Sequence, residues 1–318
     1  MTTPYPGRVS VLKSLWKLIF ASTAHQLECR ITRALPLNMV VIRKDDRIII
    51  EPYLGRHSAT VIFLHGLGDT AEGFVEIGES LQAKLPHVRI ILLTADSIPI
   101  TLYGGGRANA WFDVEGLNME SAEKVHGIER SVKRVEDLLD EENAKGLPYS
   151  RMALAGFSQG GALSLFCGLR LIKEKKLAGI VNLSGYLPGS STFRVTPGLE
   201  SLHVLHCHGV EDPIVNYQWA LRSKEVLVSK KNALTSYKFV AFEGLGHKIT
   251  LSVLDVVLDF FRTELKHDNQ YLLAKKAFRD MSVKELRYAI RDAGLTTQAK
   301  LFYEKKEFIE LLESHALQ

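Results

Sequence analysis

A strand, a tight turn and a helix are predicted around Ser158, and this arrangement constrains the fold more than any other feature. The residues read Ala153-Leu-Ala-Gly156-Phe-Ser158-Gln-Gly160-Gly161, an apolar stretch that passes into a Gly-x-Ser-x-Gly pattern. Glycines two positions before and after the serine leave room for a crowded backbone. The hydroxyl then projects from the carboxyl end of a strand, where open α/β sheets bind ligands. We therefore predict Ser158 as a nucleophile, which needs a base within hydrogen-bond reach.

A candidate acid follows a predicted buried strand further along the chain. Residues 202–208 read as that strand, and Gly209-Val-Glu-Asp212-Pro213 comes directly after it. A carboxylate in such a loop, fixed by the following proline, suits the group that orients a catalytic histidine. Glu211 is the alternative, and the position of the proline favours Asp212.

A histidine follows the last predicted strand. Residues 237–242 lead into a glycine-rich loop that contains His247, and residues 249–265 read as a helix. The chain order serine, acid, histidine is that of α/β-hydrolases. We predict Ser158 as nucleophile, His247 as general base and then acid, and Asp212 as the residue that fixes the imidazole tautomer.

An oxyanion hole is also predicted. Residues 60–64 form a continuous apolar run, typical of a doubly buried parallel strand, and His65-Gly-Leu-Gly follows it. A tetrahedral acyl-transfer intermediate needs two amide donors. The candidates are the backbone amides of Leu67 and of Gln159, which directly follows the nucleophile. His65 precedes the nucleophile in the chain, so we interpret it as a residue that shapes the loop.

The remaining histidines indicate no metal site. His206 and His208 alternate with a cysteine and so share one face of a strand, but no further ligand stands at zinc spacing. We interpret both as structural. His57, His87 and His126 are predicted to lie at the surface.

Alternating apolar strands and helices over residues 58–265 predict an α/β fold, a mostly parallel sheet with helices on both faces. The chain has 318 residues and is 46% hydrophobic, enough for one large domain and a small appendage. No 18-residue apolar run exists, so no transmembrane segment is predicted. Three cysteines are too few for a disulfide framework and are typical of a reducing compartment.

Five separated motifs resemble those of the acyl-protein thioesterase and lysophospholipase family. They are residues 61–70, residues 156–165, residues 177–188, Cys207-His-Gly209 with Asp212-Pro213, and Glu243-Gly244 with His247. The resemblance covers about residues 58–265. It implies an α/β-hydrolase without a large lid that cleaves long-chain acyl thioesters of S-palmitoylated proteins, lysophospholipids or small esters. It implies no cofactor, and it supports Ser158, Asp212 and His247 as the triad.

The resemblance also implies two substrate-binding residues. Trp111 matches the family's Trp-Phe-Asp position, and Leu102 lies in the preceding loop, which in the family is apolar and lines the acyl channel. Here that loop contains three glycines, at positions 104–106, and Arg107. We therefore expect a more flexible and less apolar loop, which leaves the preferred acyl length open. The alternative for Trp111 is a packing role.

Residues 1–57 are a basic extension that leads into the first strands, with nine Lys or Arg and four Asp or Glu. Its segment 9–21 places two lysines one helical turn apart among apolar residues. Four interpretations stay open: an organelle presequence, an interfacial helix, an atypical secretory signal, or an extension upstream of a start at Met39. Cys29 is a candidate lipidation site.

Residues 270–318 form a second, helical module. Ser282 and Glu285 make a capping box before a helix that is expected to end near Gly294, and residues 304–312 read as a second helix. This pair resembles a SAP-type motif, a family that binds DNA or proteins. The charge balance of residues 266–318, ten basic and eight acidic, gives little support for nucleic acid. We expect a protein contact or a packing role.

Three functions remain open from the sequence. The first is an acyl-protein thioesterase, the second a carboxylesterase or lysophospholipase, and the third a non-catalytic scaffold that uses the C-terminal module. The expected location is cytoplasmic, with peripheral membrane contact, or mitochondrial if residues 1–33 are a presequence.

Overall fold

The computed structural model describes residues 40–52, 57–271, 278–292 and 295–316. The predicted helix over residues 9–21, Cys29, Met39 and the expected helix end at Gly294 lie outside these ranges. No helix of the described chain has the length and apolar character needed to cross a bilayer.

One large sheet organises the described chain. Its strands and those of a separate hairpin are β1 Val40–Arg43, β2 Arg47–Glu51, β3 Ala59–Leu64, β4 Val88–Leu93, β5 Ser97–Pro99, β6 Arg107–Asn109, β7 Met152–Phe157, β8 Gly179–Leu183, β9 Val204–Gly209 and β10 Tyr237–Phe242. The large sheet has the order β1-β2-β4-β3-β7-β8-β9-β10, and β5 pairs with β6 alone. From β4 to β10 every neighbouring pair is parallel, whereas β2 is antiparallel to β1 and β4. The predicted mostly parallel sheet is confirmed.

Helices connect these strands. They are α1 Val75–Lys84, α2 Met119–Ala122, α3 Ile128–Ala144, α4 Gln159–Gly168, α5 Tyr217–Val228, α6 Leu251–Glu264, α7 Val283–Asp292 and α8 Lys305–Ala316. The helix predicted over residues 249–265 corresponds to α6.

The sheet is buried on both faces because its strands are continuously apolar. Successive side chains of a strand point to opposite faces. Ile62 and Leu64 of β3 therefore pack with α3, α4 and α5 on one face. Val61 and Phe63 pack with α1 and α6 on the other. The predicted helices on both faces are confirmed.

The ends of the chain extend this fold in two ways. Strands β1 and β2 precede residue 58 and pair into the large sheet, so the α/β fold includes residues 40–51. The C-terminal helices α7 and α8 pack around a small apolar core that contains Leu286, Ile290 and Phe308. The capping box forms as predicted: Ser282 N–H donates to Glu285 Oε2 (2.6 Å), and Glu285 N–H donates to Ser282 Oγ (3.2 Å).

Two histidines predicted to lie at the surface, His57 and His87, are buried, so this prediction is wrong. His57 Nε2 donates to Thr60 Oγ1 (2.9 Å), whose hydroxyl donates in turn to Glu142 Oε2 (3.0 Å). His87 Nε2 donates to the carbonyl of Leu265 (2.5 Å). Glu142 and Leu265, which these contacts reach, lie far along the chain from the two histidines, so no local pattern reveals their burial.

Candidate active site

The predicted turn at Ser158 has a backbone that few residues adopt. Ser158 has φ 55° and ψ −119° between the buried strand β7 and the helix α4. A Cβ on Gly156 would lie 2.3 Å from the carbonyl carbon of Gly160, and one on Gly160 would lie 2.1 Å from the carbonyl oxygen of Leu64. Only glycine fits either position. The two glycines let α4 approach the strands closely, and this holds Ser158 at the carboxyl edge of the sheet.

Asp212 lies in the loop after β9 and is buried. Its Oδ1 accepts hydrogen bonds from the backbone amides of Ile214 and Val215, both at 2.9 Å. These bonds fix the carboxylate and leave Oδ2 for another donor. The alternative acid, Glu211, is exposed.

Three side chains from separate loops form one hydrogen-bonded chain. His247 Nδ1 lies 2.7 Å from Asp212 Oδ2, and His247 Nε2 lies 3.0 Å from Ser158 Oγ. Because a carboxylate only accepts, Nδ1 carries the proton, and Nε2 is then the acceptor for the serine hydroxyl. The imidazole also packs on Phe157, with ring centroids 4.7 Å apart. The structure thus brings together all three residues predicted as the triad, in the arrangement that activates a serine.

The two residues whose amides are predicted as oxyanion donors line the same cavity as the triad. Leu67 and Gln159 line it together with Ser158 and His247. Gln159 is the first residue of α4, so its amide has no acceptor within the helix. Leu67 has no acceptor among the described backbone carbonyls. Neither amide is thus committed to a described backbone carbonyl, which is consistent with the predicted role as oxyanion donors.

His65 shapes the loop that carries Leu67. Its Nδ1 donates to the carbonyl of Gly66 (2.6 Å), and its Nε2 accepts from the amide of Ala95 (2.9 Å). Burial lowers the pKa of His65 to about 4, so the ring is neutral at physiological pH. Both ring nitrogens are engaged in the loop, which supports the structural interpretation of this residue.

Trp111 does not line the cavity, so the structure favours the alternative packing role over the expected contact with substrate. The side chain is only 1% exposed, and its Nε1 donates to the carbonyl of His65 (2.7 Å). The Gln159 side chain holds the same segment, because Oε1 accepts from Trp111 N–H (2.9 Å) and Nε2 donates to the carbonyl of Phe112 (2.8 Å). Trp111 therefore packs against the His65–Gly68 loop and holds it through the bond to the His65 carbonyl.

An apolar cavity of about 770 Å³, including its open mouth, extends from the triad. Its apolar walls include the expected Leu102 and five residues that sequence reasoning missed: Val114, Leu117, Tyr186, Ile214 and Trp219. Tyr186 lies in a motif that the family resemblance includes, and Ile214 lies two residues after Asp212. Their places in the sequence could therefore have identified them as cavity residues. No sequence pattern marked Val114, Leu117 or Trp219 as cavity residues.

The glycine-rich loop beside the cavity is a defined hairpin. Strands β5 and β6 pair, and Gly104 and Gly105 adopt φ 65° and 88° at the tip, values that glycine tolerates. Asp113 accepts from both the amide (2.7 Å) and the hydroxyl (2.5 Å) of Thr101. This anchor places Leu102 in the cavity wall, so the expected flexible segment keeps an apolar contact with the site.

His206 and His208 have structural partners. His206 contacts the Tyr237 hydroxyl through Nδ1 (2.5 Å), and His208 Nε2 donates to the carbonyl of Val215 (2.8 Å) beside the loop of Asp212. Burial lowers the pKa of both imidazoles. Within the described ranges, no group of three or more His, Cys, Asp or Glu side chains could hold a metal ion.

Comparison with known proteins gives consistent matches. The sequence profile of the phospholipase/carboxylesterase family matches residues 45–265. Acyl-protein thioesterase 1 of Neurospora crassa is 36% identical over 228 residues, which cover 68% of this chain and 91% of that protein. Acyl-protein thioesterase 1 homolog 2 of Dictyostelium discoideum is 37% identical over 194 residues, 60% of this chain and 86% of that protein. The crystal structure of Zea mays acyl-protein thioesterase 2 has a TM-score of 0.59 and 29% identity, covering 69% of this chain and 98% of that one.

Proposed function

Because this chain belongs to the phospholipase/carboxylesterase family and is a serine hydrolase with the α/β-hydrolase fold, we propose that it cleaves long-chain acyl thioesters from S-palmitoylated proteins. The observation that carries this proposal is the Ser158–His247–Asp212 hydrogen-bonded chain at the end of an apolar cavity. An apolar cavity suits an acyl chain, and the names of the related proteins indicate acylated proteins as substrates.

Acylation of the enzyme is the first half of the proposed reaction. Ser158 Oγ attacks the thioester carbonyl while His247 Nε2 takes the hydroxyl proton. Asp212 stabilises the imidazolium that forms. The amides of Leu67 and Gln159 donate to the oxyanion, a charge that exists only after the attack begins. When the tetrahedral intermediate collapses, the C–S bond breaks and His247 gives its proton to the departing sulfur, so the imidazole is neutral again.

Deacylation repeats these steps with water. His247 removes a proton from a water molecule, whose oxygen attacks the acyl-Ser158 carbonyl. The same two amides hold the second oxyanion. Collapse breaks the bond to Ser158 Oγ, which regains its proton from His247, and the fatty acid leaves. The steps require side chains and amides of this chain and one water molecule.

Substrate selection is proposed to rest on the apolar walls. Leu102, Ile214 and Trp219 surround the space beside Ser158, and each buried methylene of an acyl chain contributes about 0.8 kcal/mol to binding. The substrate's protein part would remain outside the mouth. The C-terminal helix pair takes no part in this chemistry, and we assign it a binding role.

The cytoplasm is the proposed location. The two described cysteines, Cys167 and Cys207, are buried free thiols, and a sparse cysteine content is typical of a reducing compartment. Burial raises the pKa of the Cys207 thiol to about 12, so it is unreactive at physiological pH.

Two measurements test the proposal. Labelling with a fluorophosphonate probe should modify the wild-type enzyme and fail with Ser158→Ala. Turnover of a palmitoyl-thioester peptide should exceed that of a lysophospholipid of the same chain length when kcat/KM is compared.

The outcomes separate the alternatives. Absence of labelling in folded wild-type protein would exclude serine hydrolysis at Ser158 and favour a scaffold. Labelling combined with faster turnover of the lysophospholipid would instead assign the enzyme as a lipid esterase.

A further inference from the structure

The C-terminal helix pair separates its charges although it is neutral as a whole. Residues 278–316 contain seven Lys or Arg and seven Asp or Glu. A groove between α7 and α8 is lined by Lys284, Arg287, Arg291 and Lys300, and no acidic residue of the described chain lines it. We call this feature the basic groove. Its positive charge therefore lies on one surface of a unit with no net charge.

Two cations of the helix pair that lie outside the basic groove are neutralised by ion pairs. Outside the basic groove, Arg279 pairs with Glu313 (3.4 Å) and Lys306 with Glu310 (3.5 Å). Inside it, neither Lys284 nor Lys300 makes an ion pair with any described residue. An anionic ligand could thus bind these two lysines without displacing an acidic side chain from an ion pair.

The floor and edge of the basic groove are apolar. Phe302 and Phe308 lie in its lining, and the Arg287 guanidinium stacks over the Phe308 ring at 5.5 Å. Beside the groove, Leu301 is 75% exposed and Tyr303 is 85% exposed, the two highest values for large hydrophobic residues in the described ranges. Exposed apolar and aromatic side chains next to lysines are typical of segments that lie in a membrane interface.

We propose that the basic groove and the adjoining Leu301 and Tyr303 dock the enzyme on the anionic surface of a lipid bilayer. The proposal rests on the proposed function, because acylated proteins are held at membranes by the acyl chains that this enzyme would remove. The lysines are attracted electrostatically to an anionic leaflet, and the exposed side chains of Leu301 and Tyr303 enter the interface.

A lipid surface fits better than the alternatives. Nucleic acid would use the cations but would gain nothing from an exposed leucine, whereas a bilayer interface accommodates both. The sequence alone favours a protein contact. The separation of charge, with two exposed apolar side chains at its border, favours a bilayer instead.

Vesicle sedimentation tests this docking with the full chain carrying Ser158→Ala, so that binding is independent of turnover. Phosphatidylcholine vesicles with and without phosphatidylserine are compared. We expect binding that requires phosphatidylserine. Lys284→Gln/Lys300→Gln should weaken it by about 25-fold, about five-fold for each lysine near the surface. Leu301→Ser/Tyr303→Ser should also weaken it although the charge is unchanged.

Lys306→Gln is the matched control, because it removes a lysine of the same helix pair that lies outside the groove and pairs with Glu310. Its binding should equal that of the parent chain. Residues 1–39 are identical in all variants, so their contribution cancels. The circular dichroism spectra of the variants should match that of the parent chain. The same variants with Ser158 restored should hydrolyse a water-soluble ester at the wild-type rate, which would exclude misfolding.

Two results would overturn the docking proposal. One is vesicle affinity that neither double variant changes. The other is binding to duplex DNA or an acidic protein that is lost in Lys284→Gln/Lys300→Gln and kept in Leu301→Ser/Tyr303→Ser. Groove-dependent vesicle binding by a chain that fails to hydrolyse palmitoyl thioesters would contradict only the proposed function.

Discussion

The side chain of Gln159 binds the backbone of Trp111, with Oε1 accepting from the Trp111 amide at 2.9 Å. Its Nε2 donates to the neighbouring carbonyl of Phe112, and the Trp111 indole donates to the carbonyl of His65. The side chains of Gln159 and Trp111 together thus connect helix α4, which carries one proposed oxyanion donor, to the loop that carries the other. The distance between the two donors depends on this link as well as on the backbone turns.

Replacement of Gln159 by alanine tests this link, because the backbone amide of residue 159 remains. The buried Trp111 amide and Phe112 carbonyl would lose their partners, at a cost of about 1–3 kcal/mol each in the free energy of unfolding. We expect kcat on a small ester to fall by about 10–100-fold, less than the loss of a complete oxyanion donor. Urea unfolding and steady-state kinetics measure the two effects.

Ser164→Ala is the control for this experiment. It removes the bond from Ser164 Oγ to the Gly160 carbonyl in the same helix and leaves the Trp111 loop untouched. Stability should fall by about 0.5–1.5 kcal/mol with kcat close to wild type. An equal fall of kcat in both variants would show that destabilisation, rather than the position of the loop, limits the rate.

Asp212 combines two tasks that substitutions can separate. Asp212→Asn retains an oxygen for the amides of Ile214 and Val215 but no longer fixes the His247 tautomer. We expect kcat to fall by about 10³–10⁴-fold with little change in stability. Asp212→Ala should lose stability as well, since the buried Val215 amide and the partly buried Ile214 amide become unpaired.

Glu211→Gln provides the comparison for Asp212, because Glu211 is the exposed neighbour in the same loop. Its kcat should remain at the wild-type value. A large loss in Glu211→Gln, with activity retained in Asp212→Asn, would transfer the orienting role to Glu211. Kinetics on one ester under identical conditions distinguish the two assignments.

The sequence predicts those parts of the site that depend on local backbone geometry. The turn at Ser158 needs glycines at fixed offsets, and strand β10 is found at the residues predicted from its apolar pattern. The loop of Asp212 and the loop of His247 each follow a strand, and parallel strands bring their carboxyl ends to one edge. Chain order and strand ends therefore suffice to assemble these side chains.

The cavity walls and the buried histidines could not be predicted in this way. Leu117 and Trp219 come from segments about a hundred residues apart and meet only after the sheet has formed. Trp111 matches a family motif, yet only the bonds to His65 and Gln159 show that it lies behind the loop. Such positions depend on tertiary packing, which leaves no periodic pattern in one segment.

Trp219 and Tyr186 form the wall that limits the acyl cavity. Their rings meet edge to face with centroids 5.5 Å apart, and both also line a smaller cavity beside Met119 and Ser190. Trp219→Ala should join the two spaces. The ratio of kcat/KM for palmitoyl over octanoyl thioesters should then rise by about 10-fold, the effect of burying roughly two more methylenes at about 0.8 kcal/mol each.

The ratio of two substrates in one variant removes any effect of Trp219 on stability. Trp219→Phe keeps an aromatic ring in the wall and should leave the ratio near its wild-type value. Equal changes for both chain lengths in Trp219→Ala would show that this wall does not set the acyl length.

His57 makes the stability of the fold depend on pH. Burial foremost, and then the charge of Arg89, lower the pKa of His57 to about 3 in the folded state from 6.5 when unfolded. Below about pH 6.5 the unfolded chain binds a proton that the folded chain excludes, so stability falls as pH decreases, by up to about 1.4 kcal/mol per pH unit. His57→Gln keeps a donor for Thr60 and should reduce the slope by the contribution of His57, while the buried His65 and His206 keep theirs. Urea unfolding from pH 7.5 to 5 measures the difference in slope, and parallel curves for wild type and His57→Gln would contradict the assignment.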